Sequence, residues 1–168
     1  IRGDRKEFPA VAIIVAKSSE IIIYDGDDPN CTMWMKFNRG PDSSSTSLWD
    51  GNNGNNCTAI SAKNGLVMWT TTTAGSYGAD FIGERWIYFY NSATTSGYRG
   101  NGKGIADRNN NVSSRVVKER WIGYSSAPQH QDIAMTVLPT AEVDGVTKLP
   151  SPTIAIATDE GVNIIQSN

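Results

Sequence analysis

The chain has little of what hydrolytic enzymes and helical proteins are usually built from. It carries one histidine, two cysteines and four leucines in 168 residues. A Ser–His–Asp arrangement would have to use His130, in "PQHQD", with Asp132 close to it in sequence. No GxSxG elbow is present to place a serine, so His130 reads as a solvated side chain in a polar loop. Ala, Leu, Glu, Lys and Gln, the good helix formers, are sparse or scattered. No apolar run reaches membrane-spanning length, which argues against a membrane partner. A net charge of −2 argues against nucleic acid, which normally selects a basic stripe. The first residues, "IRGDRKEF", have neither an initiating Met nor the apolar core of a secretory signal. The last residues, "NIIQSN", follow a hairpin directly. The expectation is one all-β domain over 1–168, or a processed or partial piece of a larger repeat domain.

What is abundant points the other way. Ile (16), Val (10) and Thr (14) are stiff at χ1 and suit a pleated surface. Gly (16), Ser (16) and Asn (14) favour turns. The composition predicts an all-β fold with long polar loops.

Three stretches share one shape: "AVAIIVAKSSEIIIYD", "CTAISAKNGLVMW" and "PTIAIATDEGVNIIQS". Each is a pair of apolar runs joined by a polar turn. In the second the joint is Asn64-Gly65, the strongest short hairpin signal, because both residues tolerate positive φ. The near-continuous apolar runs of 11–24 suggest strands covered on both faces. Residues 32–37 alternate, with Met33, Met35 and Phe37 predicted on one face and Trp34 on the other. Further strands are predicted over 78–82, 86–90 and 132–138, with a weaker edge strand near Val116 and Val117. Residues 38–56 and 91–114 read as polar loops, and 139–150 as an insertion.

The hairpins align on Ala16, Ala62 and Ala157, which lie 46 and 95 residues apart. The second spacing is about twice the first, with "GIADRNNNV" and Ala106 near the skipped register. A period of about 40 to 50 residues with several short strands is the mark of a propeller blade, which must stack on its neighbours to bury its faces. The predicted fold is therefore propeller-like blades of antiparallel strands, a partial propeller, with the hairpins as inner strands. The alternative is a β-sandwich or jelly roll.

The segments "YDGDDPNCTMWMKF" and "PTIAIATDEGVNII" are the most specific parts of a wider pattern. With "CTAISAKNGLVMWTTTTAGSYGADFIGERWIYFYN", that pattern resembles the blade repeats of uncharacterised propeller-like proteins from marine phages and marine metagenomes. The resemblance spans most of the chain and departs from the pattern in the Gly/Asn-rich region 91–111. It implies a β-propeller and a virion or tail-associated setting, and it implies no catalytic residues. Three blades do not close a ring, so self-association or contact with other virion proteins is expected.

Candidate sites lie in the loops. "DGDDPN" offers Asp25, Asp27 and Asp28 as hard oxygen ligands for Ca²⁺. It lacks the rest of a twelve-residue calcium loop, and "DGNNGNN" echoes it with neutral side chains. The favoured reading is an Asp/Gly turn, and no cofactor is expected. Trp49, beside Asn52, Asn53 and Asn55, is the best candidate for an exposed contact with a glycan or protein receptor. Trp34 and Trp86 read instead as packing between blades. Asp25, Asp80, Glu84 and Asp159 are the carboxylates a glycosidase would draw on, and none has a supporting motif. Cys31 and Cys57 read as small buried thiols, with a disulfide left open because sequence does not set their separation. The reading favours a non-enzymatic virion or extracellular module that presents polar loops to a receptor. A carbohydrate-active enzyme, glycosidase or lyase, on the same scaffold is the alternative.

Overall fold

The computed structural model describes residues 8–18, 20–38, 56–72, 75–90, 98–100, 105, 129–145 and 147–166. Among these residues there is no α-helix. The described residues include eleven strands in three antiparallel sheets. The first sheet is β1 (Ala12–Ala16), β2 (Glu20–Asp25) and β3 (Met33–Asn38). The second is β4 (Cys57–Lys63), β5 (Leu66–Thr71), β6 (Gly75–Asp80), β7 (Arg85–Tyr90) and β8 (Tyr98–Gly100). The third is β9 (His130–Thr136), β10 (Thr153–Thr158) and β11 (Gly161–Ile165). In every sheet the spatial order follows the chain, so each is a simple meander. The fold is all-β with propeller-like blades, and its three layers differ from the two of a sandwich.

The second sheet is the middle layer. Val67 and Trp69 on β5, with Tyr77 and Ala79 on β6, pack on Ile21, Ile23, Met35 and Phe37 of the first sheet. Leu66 and Met68, one step out of phase on β5, pack with Ile87 and Phe89 on Ile133, Ile154, Ile156 and Ile165 of the third sheet. Strand alternation thus sends one half of β5 to each neighbour. All six residues of β5 are buried. Gly78 makes this packing possible: the Met68 Sδ lies where a Cβ would stand, with the Val67 carbonyl oxygen 2.9 Å from that position.

The leading strands line up across the layers. Ala12 and Ile14 of β1 pack in the same cluster as Cys57 and Ile60 of β4. Ala59 of β4 and Met135 of β9 join the other cluster. β9 therefore holds the place of β1 and β4. This corrects the alignment on Ala157: that residue lies on β10, the second strand of its sheet, paired with Asp132 on one side and Val162 on the other. The hairpin β10–β11 is the outer pair of its blade, and 137–152 is inserted between the first and second strands.

Local chemistry also bends the simple alternation. A bulge where Ile23 and Tyr24 meet β3 pairs Ile23 with Met35 but Tyr24 with Met33. An extra residue on one strand turns the next side chain over. Met33 is consequently exposed, while Trp34 and Met35 are both buried in one cluster. Trp34 meets Phe8 and Phe81 there with ring centroids 5.4 and 5.3 Å apart. The predicted common face of Met33, Met35 and Phe37 is not formed. Nor is β1 covered on both faces, since Ile13 and Val15 are exposed.

At the β4–β5 turn, Asn64 and Gly65 have φ of 48° and 76°. A Cβ on Gly65 would also lie 3.2 Å from Ile82 Cγ1. Gly65→Val is expected to cost about 1 kcal/mol or more, read as a lower melting temperature. An unchanged melting temperature would contradict the turn geometry.

Candidate functional site

The β4–β5 turn, the β6–β7 turn and the insertion 137–152 enclose a cleft of about 340 Å³. Its polar lining includes Asn64, Asp80, Glu142 and Asp144, and its apolar lining includes Ile82 and Leu149. The floor is the edge of the core, where Leu66, Phe89 and Ile154 reach the surface layer.

Each wall is held by its own hydrogen bonds. Asp80 sits at the end of β6, and its Oδ1 accepts from the amides of Ile82 and Gly83 at 3.1 and 2.9 Å. That closes the β6–β7 turn. The insertion is a small ordered hairpin rather than a slack loop. Val143 and Pro150 form a β-bridge, Ser151 N donates to the Glu142 carbonyl at 2.7 Å, and Asp144 N donates to the Leu149 carbonyl at 2.9 Å. Asp144 Oδ1 accepts from Thr147 N and Oγ1 at 2.7 and 2.9 Å. Asn64 Nδ2 then donates to the Pro150 carbonyl at 2.7 Å, tying the insertion to the β4–β5 turn. Leu149 and Val143 are exposed on the rim. Carboxylates beside an apolar rim can accept from hydroxyl or amide donors while covering a ligand's apolar face.

The sequence-predicted positions fall differently. Trp49, Asn52, Asn53 and Asn55 lie outside the described residues, as do Trp121, Ala106, Val116 and Val117. Among the glycosidase candidates, Asp80 ends β6 and Glu84 lies in the β6–β7 turn after it, while Asp25 ends β2 and Asp159 is on the β10–β11 turn. Glu142 and Asp144 were not singled out by the sequence.

In "DGDDPN" the carboxylates hold backbone. Asp25 Oδ1 accepts from Asp27 N at 3.0 Å. Asp27 Oδ2 accepts from Ala10 N at 2.9 Å and Val11 N at 3.3 Å, fastening the entry to β1. Asp28 Oδ1 accepts from Asn30 N at 2.9 Å, and bonds from the Thr32 hydroxyl and this amide hold its carboxyl below the ordinary value. Each of the three aspartates thus accepts from at least one backbone amide. Calorimetric titration is expected to give calcium affinity weaker than micromolar; micromolar binding would overturn that expectation.

His130 is not in a solvated loop. It opens β9 and is 2% exposed, between the second and third sheets. Its Nδ1 lies 2.7 Å from Ser76 Oγ on β6, and Ser76 is also buried. Asp132 points elsewhere, with its Oδ1 accepting from Ile133 N, and is exposed. A serine and a histidine meet here, but within the core, where a substrate has no access. The pair is a polar strut between two blades. Both cysteines are free thiols. Cys31 is exposed, contrary to the buried reading, and burial pushes the half-buried Cys57 up to about 11.

Comparison with protein-family models, with curated proteins and with solved structures finds no match.

Proposed function

We propose that this chain is a non-enzymatic structural module of a virion or extracellular surface, and that it presents polar loops to a glycan or protein receptor. The observation that carries the binding part is the cleft bounded by the β4–β5 turn, the β6–β7 turn and the inserted hairpin. Binding sites are commonly built from loops fixed on a rigid scaffold, and here both turns and the insertion are fastened by side-chain caps. Carboxylates at Asp80, Glu142 and Asp144 suit the hydroxyl donors of a sugar or the amide donors of a peptide. The virion setting rests on the resemblance of the hairpins to phage blade repeats. Trp49, Asn52, Asn53 and Asn55, read from the sequence alone, are a second contact in this reading.

A glycan array and a panel of surface proteins, followed by calorimetry on the best binder, tests the reading. Leu149→Asp and Glu142→Gln are each expected to weaken binding about tenfold or more, since both residues line the cleft. Affinity unchanged in both variants would mean that the cleft is not the binding site. Hydrolysis of a polysaccharide, abolished by Asp80→Asn or Glu142→Gln, would overturn the non-enzymatic reading in favour of a carbohydrate-active enzyme.

A further inference from the structure

The inserted hairpin is fastened to the β4–β5 turn by the side chain of Asn64, whose Nδ2 donates to the Pro150 carbonyl at 2.7 Å across 86 residues of sequence. Asn64 is half-buried and Gly65 follows it in the turn, both at positive φ. The last pair of the β4–β5 ladder is Lys63 with Leu66, so the Gly65 amide lies beyond the ladder. Asparagine is among the thermolabile side chains. Before glycine it is at its most reactive, because no Cβ shields the following backbone nitrogen. The residues that make the turn and hold the insertion therefore also carry a reactive amide.

We propose that Asn64 is a deamidation site, and that its conversion releases the inserted hairpin from the β4–β5 turn and opens the cleft. The Gly65 backbone nitrogen attacks Asn64 Cγ. A C–N bond forms, the Cγ–Nδ2 bond breaks, and Nδ2 leaves as ammonia with the proton from the Gly65 amide. Water then opens the cyclic imide at either carbonyl, leaving aspartate or isoaspartate. The bond to Pro150 holds the amide, so the reaction runs through local openings in which that bond is broken. Once the amide has gone, the bond does not re-form, and the release is one-way.

Either product breaks the tie. An ionised carboxylate only accepts hydrogen bonds, and the Pro150 carbonyl it would face is also an acceptor. The new charge enters a cleft already lined by Asp80, Glu142 and Asp144, and like charges repel. Isoaspartate adds a backbone carbon to a two-residue turn. Space there is short, since a Cβ on Gly65 would lie 3.2 Å from Ile82 Cγ1. Aspartate keeps the turn itself, because it tolerates positive φ as asparagine does. The inference rests on this hydrogen bond and the chemistry of Asn-Gly, not on the receptor reading.

Ageing the folded full chain for several weeks in mildly alkaline buffer tests it, with peptide mapping by mass spectrometry to place the change. The sequence has further Asn-Gly pairs at 53–54 and 101–102, so the map must resolve residue 64 from both. Aspartate and isoaspartate are expected to accumulate there while the β signature in circular dichroism persists. Amide hydrogen exchange reads the release. The Asp144 and Ser151 amides hold the hairpin together. Both are expected to exchange about tenfold faster than in the unaged wild type, in the aged protein and in Asn64→Asp alike. Ladder amides of β5 and β6 are expected to keep their wild-type rates. No conversion at residue 64 in the folded chain, or wild-type exchange at both hairpin amides in Asn64→Asp, would overturn the proposal. Loss of protection through β4 and β5 would overturn it too, since the side chain would then be holding the turn and not the insertion.

Discussion

Trp69→Ala is expected to lower stability by about 3 to 5 kcal/mol, the range for truncating a large buried aromatic. Trp69 is fully buried at the centre of β5. Its ring stacks on Tyr77 of the same sheet at 6.2 Å and meets Phe37 of the first sheet at 5.6 Å. Removing it opens a cavity where two layers join. The surrounding strands are fixed by ladders on both sides, so they can collapse only in part. A loss of that size is a large share of the roughly 5 to 15 kcal/mol that holds a domain together. Chemical denaturation reads it directly. Trp34→Ala gives a useful contrast: that ring lies at the edge of the same cluster, beside Phe8 and Phe81, and should cost less. Equal costs would place the centre of the core elsewhere.

Acid is expected to weaken the stack through His130. Burial lowers its pKa to about 4, against the opposing charge of Asp159. In the unfolded chain the same ring titrates near 6.5. Between those values the unfolded state binds more protons than the folded one, so stability rises with pH. The stabilising difference is fully present above about pH 6.5 and falls away as pH drops through the folded value. Its size is on the order of 3 kcal/mol, from a shift of this magnitude. His130→Gln is expected to flatten the slope of denaturation midpoint against pH between about 4 and 6.5. A wild-type slope retained in the variant would assign the acid sensitivity to other groups.

Much of the strand content was legible because it was written in β-branched residues. Glu20–Asp25 and Thr153–Thr158 are runs that fit little else, and Asn64-Gly65 declares its own turn. β8 was not legible. Tyr98–Gly100 sits in a Gly/Asn-rich stretch and pairs with β7 through backbone groups, which carry no side-chain signature. The bulge beside Tyr24 was equally silent, since alternation assumes an unbroken ladder. The third blade misled because its insertion separates β9 from β10, so the matching hairpin motif fell one strand late. His130 looked solvated because Gln129, Gln131 and Asp132 surround it in sequence. Its burial comes from Ser76, 54 residues away. The cleft unites segments near residues 64, 82 and 145. No local pattern announces such a meeting, because each segment is an ordinary capped turn by itself.

The third sheet lies two layers from the first, with the five-stranded sheet between them. Spin labels at Asn30→Cys and Glu160→Cys test it, with Cys31 and Cys57 changed to serine and the labelled chain diluted in unlabelled chain so that only distances within one chain are read. Both labelled positions are exposed, one between β2 and β3 and the other between β10 and β11. Sheets pack about 10 Å apart, so two layers predict a separation of about 20 Å or more. A separation near one layer, about 10 Å, would mean that the first and third sheets pack directly on each other. That result would replace the blade stack with a two-sheet sandwich.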